Sequence, residues 1–266
     1  MSFKCNIGLH TWDGCQCSVC GKTRDTGHDF SEDCCKCSRC GKEFDEDLHD
    51  WSQDCEKCAK CGKTREDRHS WQLDCEKCSE CGIVRSNMHK FRDGICIVCG
   101  KGTFQDPADG TSYKVRKIGE HVVMAENYAR RPKEGNYWAY EDDEHNRSQY
   151  GFLYDWDTAK AIEPAGWHLP TKSEWEALCN CLGGHEKKAY EQLKAGGKSG
   201  FESVFGGERN ARGAFNSLGA SAYYWSATEE GEQQAWLLKI GAYTESAELK
   251  TKDPCFGLSV RFIRDK

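Results

Sequence analysis

The sequence predicts an array of small repeats held together by side-chain ligation, followed by an α+β domain with an ordinary apolar core. Three observations predict this. Of 19 cysteines, 16 lie between Cys5 and Cys99, and only Cys179, Cys181 and Cys255 lie beyond. The cysteines of the first part recur in CxxC pairs about every 20 residues. After residue 101 they give way to Trp, Tyr, Gly and alternating apolar positions. The two units are therefore expected at 1–101 and 102–266.

The first unit holds so few aliphatic residues that burial alone could not offset its chain entropy. Its CxxC knuckles are Cys17/Cys20, Cys37/Cys40, Cys58/Cys61, Cys78/Cys81 and Cys96/Cys99, each followed by Gly. Glycine there suits a tight turn with backbone N–H groups aimed at the sulfurs. Ahead of each knuckle stands a histidine followed two residues later by an aromatic: His10 and Trp12, His28 and Phe30, His49 and Trp51, His69 and Trp71, His89 and Phe91. One further cysteine per unit completes the set: Cys5, Cys15, Cys34 or Cys35, Cys55 and Cys75.

These residues make 20 ligands, enough for five tetrahedral zinc sites with one of the Cys34/Cys35 pair left over. A local grouping, such as Cys55, Cys58, Cys61 and His69, strands Cys5 with His10 at one end and Cys96 with Cys99 at the other. An interleaved grouping strands nothing. Its sites are Cys5, His10, Cys17, Cys20; Cys15, His28, Cys37, Cys40; Cys35, His49, Cys58, Cys61; Cys55, His69, Cys78, Cys81; and Cys75, His89, Cys96, Cys99. Cys35 is preferred to Cys34 because its step to His49 is 14 residues, matching Cys55–His69 and Cys75–His89. Each zinc then staples neighbouring repeats. Four protein ligands per ion leave no open position, which marks structural rather than catalytic metal. The repeated aromatics pack over their own sites.

Charge argues against nucleic acid as a partner. Residues 1–101 hold 16 Lys and Arg against 18 Asp and Glu, and the whole chain carries −6. A site of three thiolates, one neutral imidazole and Zn²⁺ adds a further −1. The start of the sequence has no apolar h-region, no run is long enough to span a bilayer, and clustered thiols suit a reducing compartment, so cytoplasmic residence is expected.

In the second unit Asp109-Gly110 marks a hairpin turn, and Tyr113, Val115 and Lys117 alternate with Ser112, Lys114 and Arg116. Gly119-Glu120 turns the chain into His121–Met124. Thr171-Lys172-Ser173-Glu174 reads as a capping box whose helix ends at Gly183-Gly184, and a second helix covers about 186–193. Strands follow at Tyr223–Thr228, Ala235–Ile240, Ser246–Lys250 and Gly257–Arg264. Two helices among short antiparallel strands give the α+β class. Trp167, Trp175, Trp225 and Trp236 are expected in the core, with Cys179, Cys181 and Cys255 as small buried hydrophobes. The run Glu141-Asp142-Asp143-Glu144 beside His145 is expected to be a solvated loop.

Several runs resemble, in order, the Fibrobacter succinogenes major paralogous domain. They are Asp109-Gly110, Tyr113, Lys117-Ile118-Gly119, Met124-Ala125-Glu126-Asn127, Tyr150-Gly151-Phe152-Leu153-Tyr154-Asp155-Trp156, Pro164-Ala165-Gly166-Trp167-His168-Leu169-Pro170-Thr171, Glu174-Trp175, Tyr224-Trp225-Ser226-Ala227-Thr228-Glu229 and Gly257-Leu258-Ser259-Val260-Arg261. The resemblance implies a C-type-lectin-like fold related to the formylglycine-generating enzymes and to retroelement variable proteins. Where family members often carry cysteine, this chain has Glu163 and Phe262. A copper oxidase of the formylglycine-generating kind needs a cysteine pair near the C-terminus, and only Cys255 stands there.

The resemblance to retroelement variable proteins implies a binding face between Glu229 and Phe256, with Glu230, Gln233, Gln234, Tyr243, Glu245, Glu248, Lys250 and Phe256 as exposed candidates. Alternation puts Glu248 and Lys250 on one side of a strand. Adenine-directed diversification is disfavoured, because the stretch is dense in Glu, Gln, Lys and Trp and holds no Asn. The expected function is non-enzymatic recognition of a protein or surface ligand; the alternatives are an oxidase and a diversified variable protein.

Overall fold

A computed structural model describes residues 8–43, 49–66, 68–86, 88–184 and 187–265. The chain divides into two compact units, Met1–Met88 and His89–Lys266.

The first unit is built almost without regular secondary structure. Its one strand pair among the described residues is β1 (Trp12–Asp13) with β2 (Gln16–Cys17). Elsewhere single bridges close each knuckle: Gln16 with Thr23, Lys36 with Glu43, Lys57 with Thr64 and Lys77 with Val84. The buried described residues of this unit are Cys15, Cys17, Cys34, Cys35, Cys37, Cys55, Cys58, Cys75 and Cys78, all of them cysteines.

The second unit is rich in sheet, with few helices. Its seven-stranded sheet has the order β10-β16-β7-β6-β5-β4-β3. In chain order these strands are β3 (Phe91–Arg92), β4 (Ile95–Cys96), β5 (Lys101–Gln105), β6 (Ser112–Ile118), β7 (His121–Met124), β10 (Trp167–His168) and β16 (Ile263–Arg264). The last CxxC knuckle therefore lies within this sheet. Composition changes at residue 101 because the cysteines stop there, but the pairing of β4 with β5 runs across that point.

A five-stranded sheet has the order β12-β11-β13-β14-β15. It comprises β11 (Gly206–Arg209), β12 (Phe215–Leu218), β13 (Ser221–Glu230), β14 (Gln234–Gly241) and β15 (Ser246–Lys252). All its pairs are antiparallel except β11 with β13, which run parallel at Gly207 and Ala222. A further pair joins β8 (Tyr137–Trp138) to β9 (Leu153–Tyr154).

The helices are α1 (Arg147–Tyr150), α2 (Trp156–Ala161), α3 (Lys172–Cys181) and α4 (Lys187–Leu193). Helix α3 opens on the expected capping box: the Thr171 hydroxyl accepts from Glu174 N–H, and the Glu174 carboxylate accepts from Thr171 N–H at 2.9 Å.

Alternation along β13 and β14 splits the core. Tyr223, Trp225 and Leu237 join a cluster with Tyr113, Trp167 and Phe262, while Tyr224, Leu238 and Ile240 join one with Trp175, Leu178 and Phe201. Trp167, Trp175 and Trp225 are buried as expected. Trp236 is not. It stays partly exposed, donating to Glu230 at 2.7 Å with the Lys172 ammonium over its ring.

Of the three later cysteines only Cys179 is buried; Cys181 and Cys255 are exposed. The run from Gly257 to Arg264 is not one strand. Gly257 bridges Arg209, Leu258 bridges Tyr154 and Ser259 bridges Tyr224, and only Ile263–Arg264 enters a ladder. Its alternation is real, but it meets a different neighbour at almost every step. The acidic run at 141–144 is exposed throughout, as expected; within it Asp143 accepts from His145 N–H and Glu144 pairs with Arg131 at 2.6 Å.

Candidate metal centres

Each knuckle is one tight turn. The N–H of Gly21, Gly41, Gly62, Gly82 and Gly100 donates to the carbonyl of the first cysteine of its pair, at 2.9 to 3.0 Å. All five glycines have φ between +68° and +76°, a conformation that costs any other residue strain. Outside the turn, the residue after the histidine also aims its N–H at the first sulfur. Asp29 N–H lies 3.3 Å from Cys37 Sγ, and Asp50 N–H 3.4 Å from Cys58 Sγ.

Burial opposes the charge on these sulfurs, but the backbone donors and the nearby imidazole outweigh it. The Cys37, Cys58 and Cys96 thiols are held down to about 5, and Cys17 and Cys78 to about 6. The single cysteines behave oppositely. Burial, then the neighbouring thiols, pushes Cys15, Cys34 and Cys55 up to about 12. Three clusters thus pair a first-knuckle sulfur held ready to carry charge with a single cysteine that ionises readily only beside a cation: Cys37 with Cys15, Cys58 with Cys34 and Cys78 with Cys55.

The single cysteine is set by a turn that the spacing argument missed. Asp33 accepts from Cys35 N–H at 2.9 Å, Asp54 from Glu56 N–H at 2.8 Å and Asp74 from Glu76 N–H at 3.0 Å. In each of these Asx turns the residue enclosed is a cysteine: Cys34, Cys55 and Cys75. Cys34, not Cys35, therefore completes the third cluster. Its sulfur lies 2.9 Å from His49 Nδ1, 3.4 Å from Cys58 Sγ and 3.2 Å from Cys61 Sγ. The repeated Asp-Cys dipeptide was the legible sign, and it overrules the 14-residue step.

The histidines turn Nδ1 inward. His10 Nδ1 lies 3.3 Å from Cys20 Sγ, His28 3.4 Å from Cys40, His69 3.3 Å from Cys81 and His89 3.4 Å from Cys99. Each imidazole leans on the aromatic two residues on, with ring centroids 5.1 to 5.8 Å apart. Outward, His49 Nε2 is 3.7 Å from Asp33 and His69 Nε2 is 3.6 Å from Asp54. Carboxylates that make the Asx turns therefore also face the far side of the ring.

Arginines complete the repeat and were not anticipated. Arg24, Arg65 and Arg85 lie over Trp12, Trp51 and Trp71 at 4.9, 4.1 and 3.8 Å, and their Nε donate to the carbonyls of Gly14, Cys55 and Cys75. Their sign in the sequence is position, four residues after the second knuckle cysteine.

Three complete groups of the interleaved register lie in the first unit: Cys15, His28, Cys37, Cys40; Cys34, His49, Cys58, Cys61; and Cys55, His69, Cys78, Cys81. Within each, the ligand atoms lie within 4.8 Å of one another. Sulfur–sulfur separations of 3.3 Å for Cys15–Cys37 and 3.7 Å for Cys55–Cys78 are far longer than a disulfide bond of about 2.05 Å. They approach the edge of roughly 3.8 Å set by tetrahedral bonds of about 2.3 Å from zinc to sulfur. The clusters could hold metal ions, and their donors and spacing are compatible with zinc. His10, Cys17 and Cys20 form a further group, whose expected partner Cys5 lies outside the described residues. In the second unit His89 meets Cys99, and Cys96 and Cys99 are buried; Cys75 is buried in the first.

The expected binding face is scattered. Glu230, Gln233 and Gln234 surround the β13–β14 turn, and Tyr243 and Glu245 lie at the β14–β15 turn. The eight residues of β14 separate them, roughly 23 Å at 3.3 Å per step. Tyr243 is 88% exposed. Glu245 pairs with Lys187 at 2.5 Å, and Glu248 with Lys250 at 2.6 Å, as two side chains on one face should. Phe256 is not an exposed candidate: it packs on the first core cluster beneath the Lys252 ammonium.

Residues 115–264 match the Fibrobacter succinogenes major domain, and the chain belongs to that family. Comparison with curated proteins and with solved structures gives no further match. The repeat array lies outside the matched residues. No helix among the described residues is long and apolar enough to cross a membrane.

Proposed function

We propose that this is a non-enzymatic, modular binding protein. About five structural zinc ions fold its repeats, and its C-terminal domain, with a C-type-lectin-like fold, recognises a protein or surface ligand. The observation that carries the metal half is the closed ligand set: three protein sulfurs and one imidazole per cluster leave no coordination position for substrate. The recognition half rests on the family and on Tyr243, a large aromatic standing almost wholly in solvent at a strand turn. Cytoplasmic residence suits the reduced thiols.

The oxidase alternative requires a second thiolate beside Cys255. That thiol lies at an open cleft of about 470 Å³ whose other lining residues are Asp155, Asp157, Glu232, Gln233, Asp253 and Pro254. Hydrogen bonding to Asp253, then burial, raises its pKa, and carboxylate oxygens are poor ligands for copper(I).

The test is partner capture by the full chain with and without Tyr243→Ala, zinc being counted on both proteins. Loss of the partner at unchanged zinc content supports the reading. Normal capture by Tyr243→Ala, with loss in variants of the repeats, would place recognition in the repeats instead.

A further inference from the structure

The last knuckle differs from the other four in what its backbone touches. A side-chain carbon added at Gly21 or Gly41 would meet nothing within 4 Å, and at Gly62 or Gly82 only the tip of a lysine at 3.8 or 3.9 Å. At Gly100 it would press on the β6 backbone, 3.1 Å from Lys117 O and 3.4 Å from Lys117 N. The contact is bonded as well as close, because Lys117 N–H donates to Gly100 O at 2.8 Å.

One ligand, Cys96, is itself a residue of β4, paired with Phe91 across the β3–β4 hairpin. The preceding Ile95 is buried in the first core cluster and pairs with Gly102 of β5. Arg264, in β16, donates to Asp93 O in the hairpin turn at 2.8 Å. The backbone that carries Cys96 and Cys99 is therefore shared with a sheet whose other strands have an apolar core.

From this we infer that the zinc bound by His89, Cys96 and Cys99 is a structural element of the seven-stranded sheet, and that its loading sets the order of β4, β5 and the adjoining end of β6. The inference rests on the zinc reading above and extends it from the repeats into the family domain. Ligation fixes the φ-positive turn whose carbonyl holds Lys117. Without the ion, the hairpin keeps only short pairings, too few to be stable on their own. Binding linkage makes the effect reciprocal: loosening the sheet must weaken the hold on this ion and leave the distant ones unchanged.

The experiment uses the zinc-loaded full chain, with amide hydrogen exchange read at Lys117 and across residues 101–105, and bound zinc counted on the same samples. Cys99→Ser and Cys37→Ser should each lose one ion. Only Cys99→Ser should speed exchange at Lys117, by tenfold or more, with Leu238 in the five-stranded sheet unchanged. Loss of one ion with Lys117 still protected would overturn the inference and leave the zinc reading intact. Retention of every ion by Cys99→Ser would overturn both.

If Cys99→Ser does not fold, Gly102→Ala serves, because it touches no ligand. Its new carbon meets Gly94 O, and Ile95 Cδ1 at 2.6 Å. It should release one zinc to a chelator at least fivefold faster than wild type, whereas Gly21→Ala should not accelerate the release of the last-site ion. Equal release rates from Gly102→Ala and wild type would contradict the coupling.

Discussion

Among the described residues of the first unit nothing but cysteine is buried, whereas the second unit buries Trp175, Trp225, Tyr128, Phe152, Phe201 and Arg261 almost completely. The same chain thus uses two means of offsetting conformational entropy. In one, sulfur and imidazole converge on points; in the other, apolar surface leaves water. The repeats can be short because a ligand cluster needs no layer of side chains around it, and that economy would leave them nothing to fall back on without a metal. The second unit has a core independent of ligation, but its first hairpin is made from the last repeat.

The largest expected effect separates the two most sharply. Structural zinc contributes on the order of 10–16 kcal/mol of apparent binding free energy per site in small zinc domains. Chelation should therefore unfold Met1–Met88 while the five-stranded sheet persists. The near-UV signal of the buried tryptophans should survive while part of the far-UV signal is lost, and a single chelator-sensitive loss of both signals would erase the distinction.

The converse change is Trp225→Ala. Trp225 is fully buried, donates to Tyr154 O at 2.8 Å and accepts from Trp175 Nε1 at 3.2 Å through its carbonyl. The cost is about 3–5 kcal/mol in the second unit, with the zinc clusters of the first unit still loaded. Denaturant unfolding followed alongside zinc content checks it.

A smaller effect sharpens the comparison within the second unit. Thr171→Ala removes one side of the capping box of α3 and should cost about 1 kcal/mol, read in the same unfolding experiment, with no change in zinc retention.

Smallest is a dependence on pH. His168 lies between Asp265 Oδ1 at 2.5 Å and Glu174 Oε1 at 2.9 Å. Burial lowers its pKa, but the two carboxylates outweigh burial and raise it above its ordinary value. A raised folded-state value means the stabilisation is full below the unfolded pKa and is lost as pH rises through the folded one. The group is partly solvated, so roughly 0.5–1 kcal/mol is at stake. Stability of the wild type should fall, relative to His168→Gln, as pH rises above about 6.5; parallel pH profiles would contradict the bridge.

Much of the Cys/His cluster architecture was legible because candidate metal ligands leave sharp marks. Only a few residue types can serve, and the knuckle glycines fix their turns. The interleaved register followed from the ends of the array, and the capping box of α3 from four consecutive residues. What stayed hidden depends on neighbours distant in sequence. Cys34 and Cys35 differ only in which one an Asx turn encloses. The run from Gly257 to Arg264 reads as a strand but is shared among Arg209, Tyr154 and Tyr224. Trp236 looks like core until the Lys172 ammonium and Glu230 carboxylate are placed beside it. The candidate binding residues adjoin in sequence, yet the length of β14 sends them to opposite ends of a sheet.

The central claim is that upstream single cysteines complete metal-binding clusters whose knuckles belong to the following repeat, and that an Asp-Cys turn selects Cys34, Cys55 and Cys75 for this place. Native mass spectrometry of the reduced full chain tests it with one pair of variants. Wild type should carry five zinc ions, Cys34→Ser four and Cys35→Ser five. Loss of an ion from Cys35→Ser with none lost from Cys34→Ser would contradict the account.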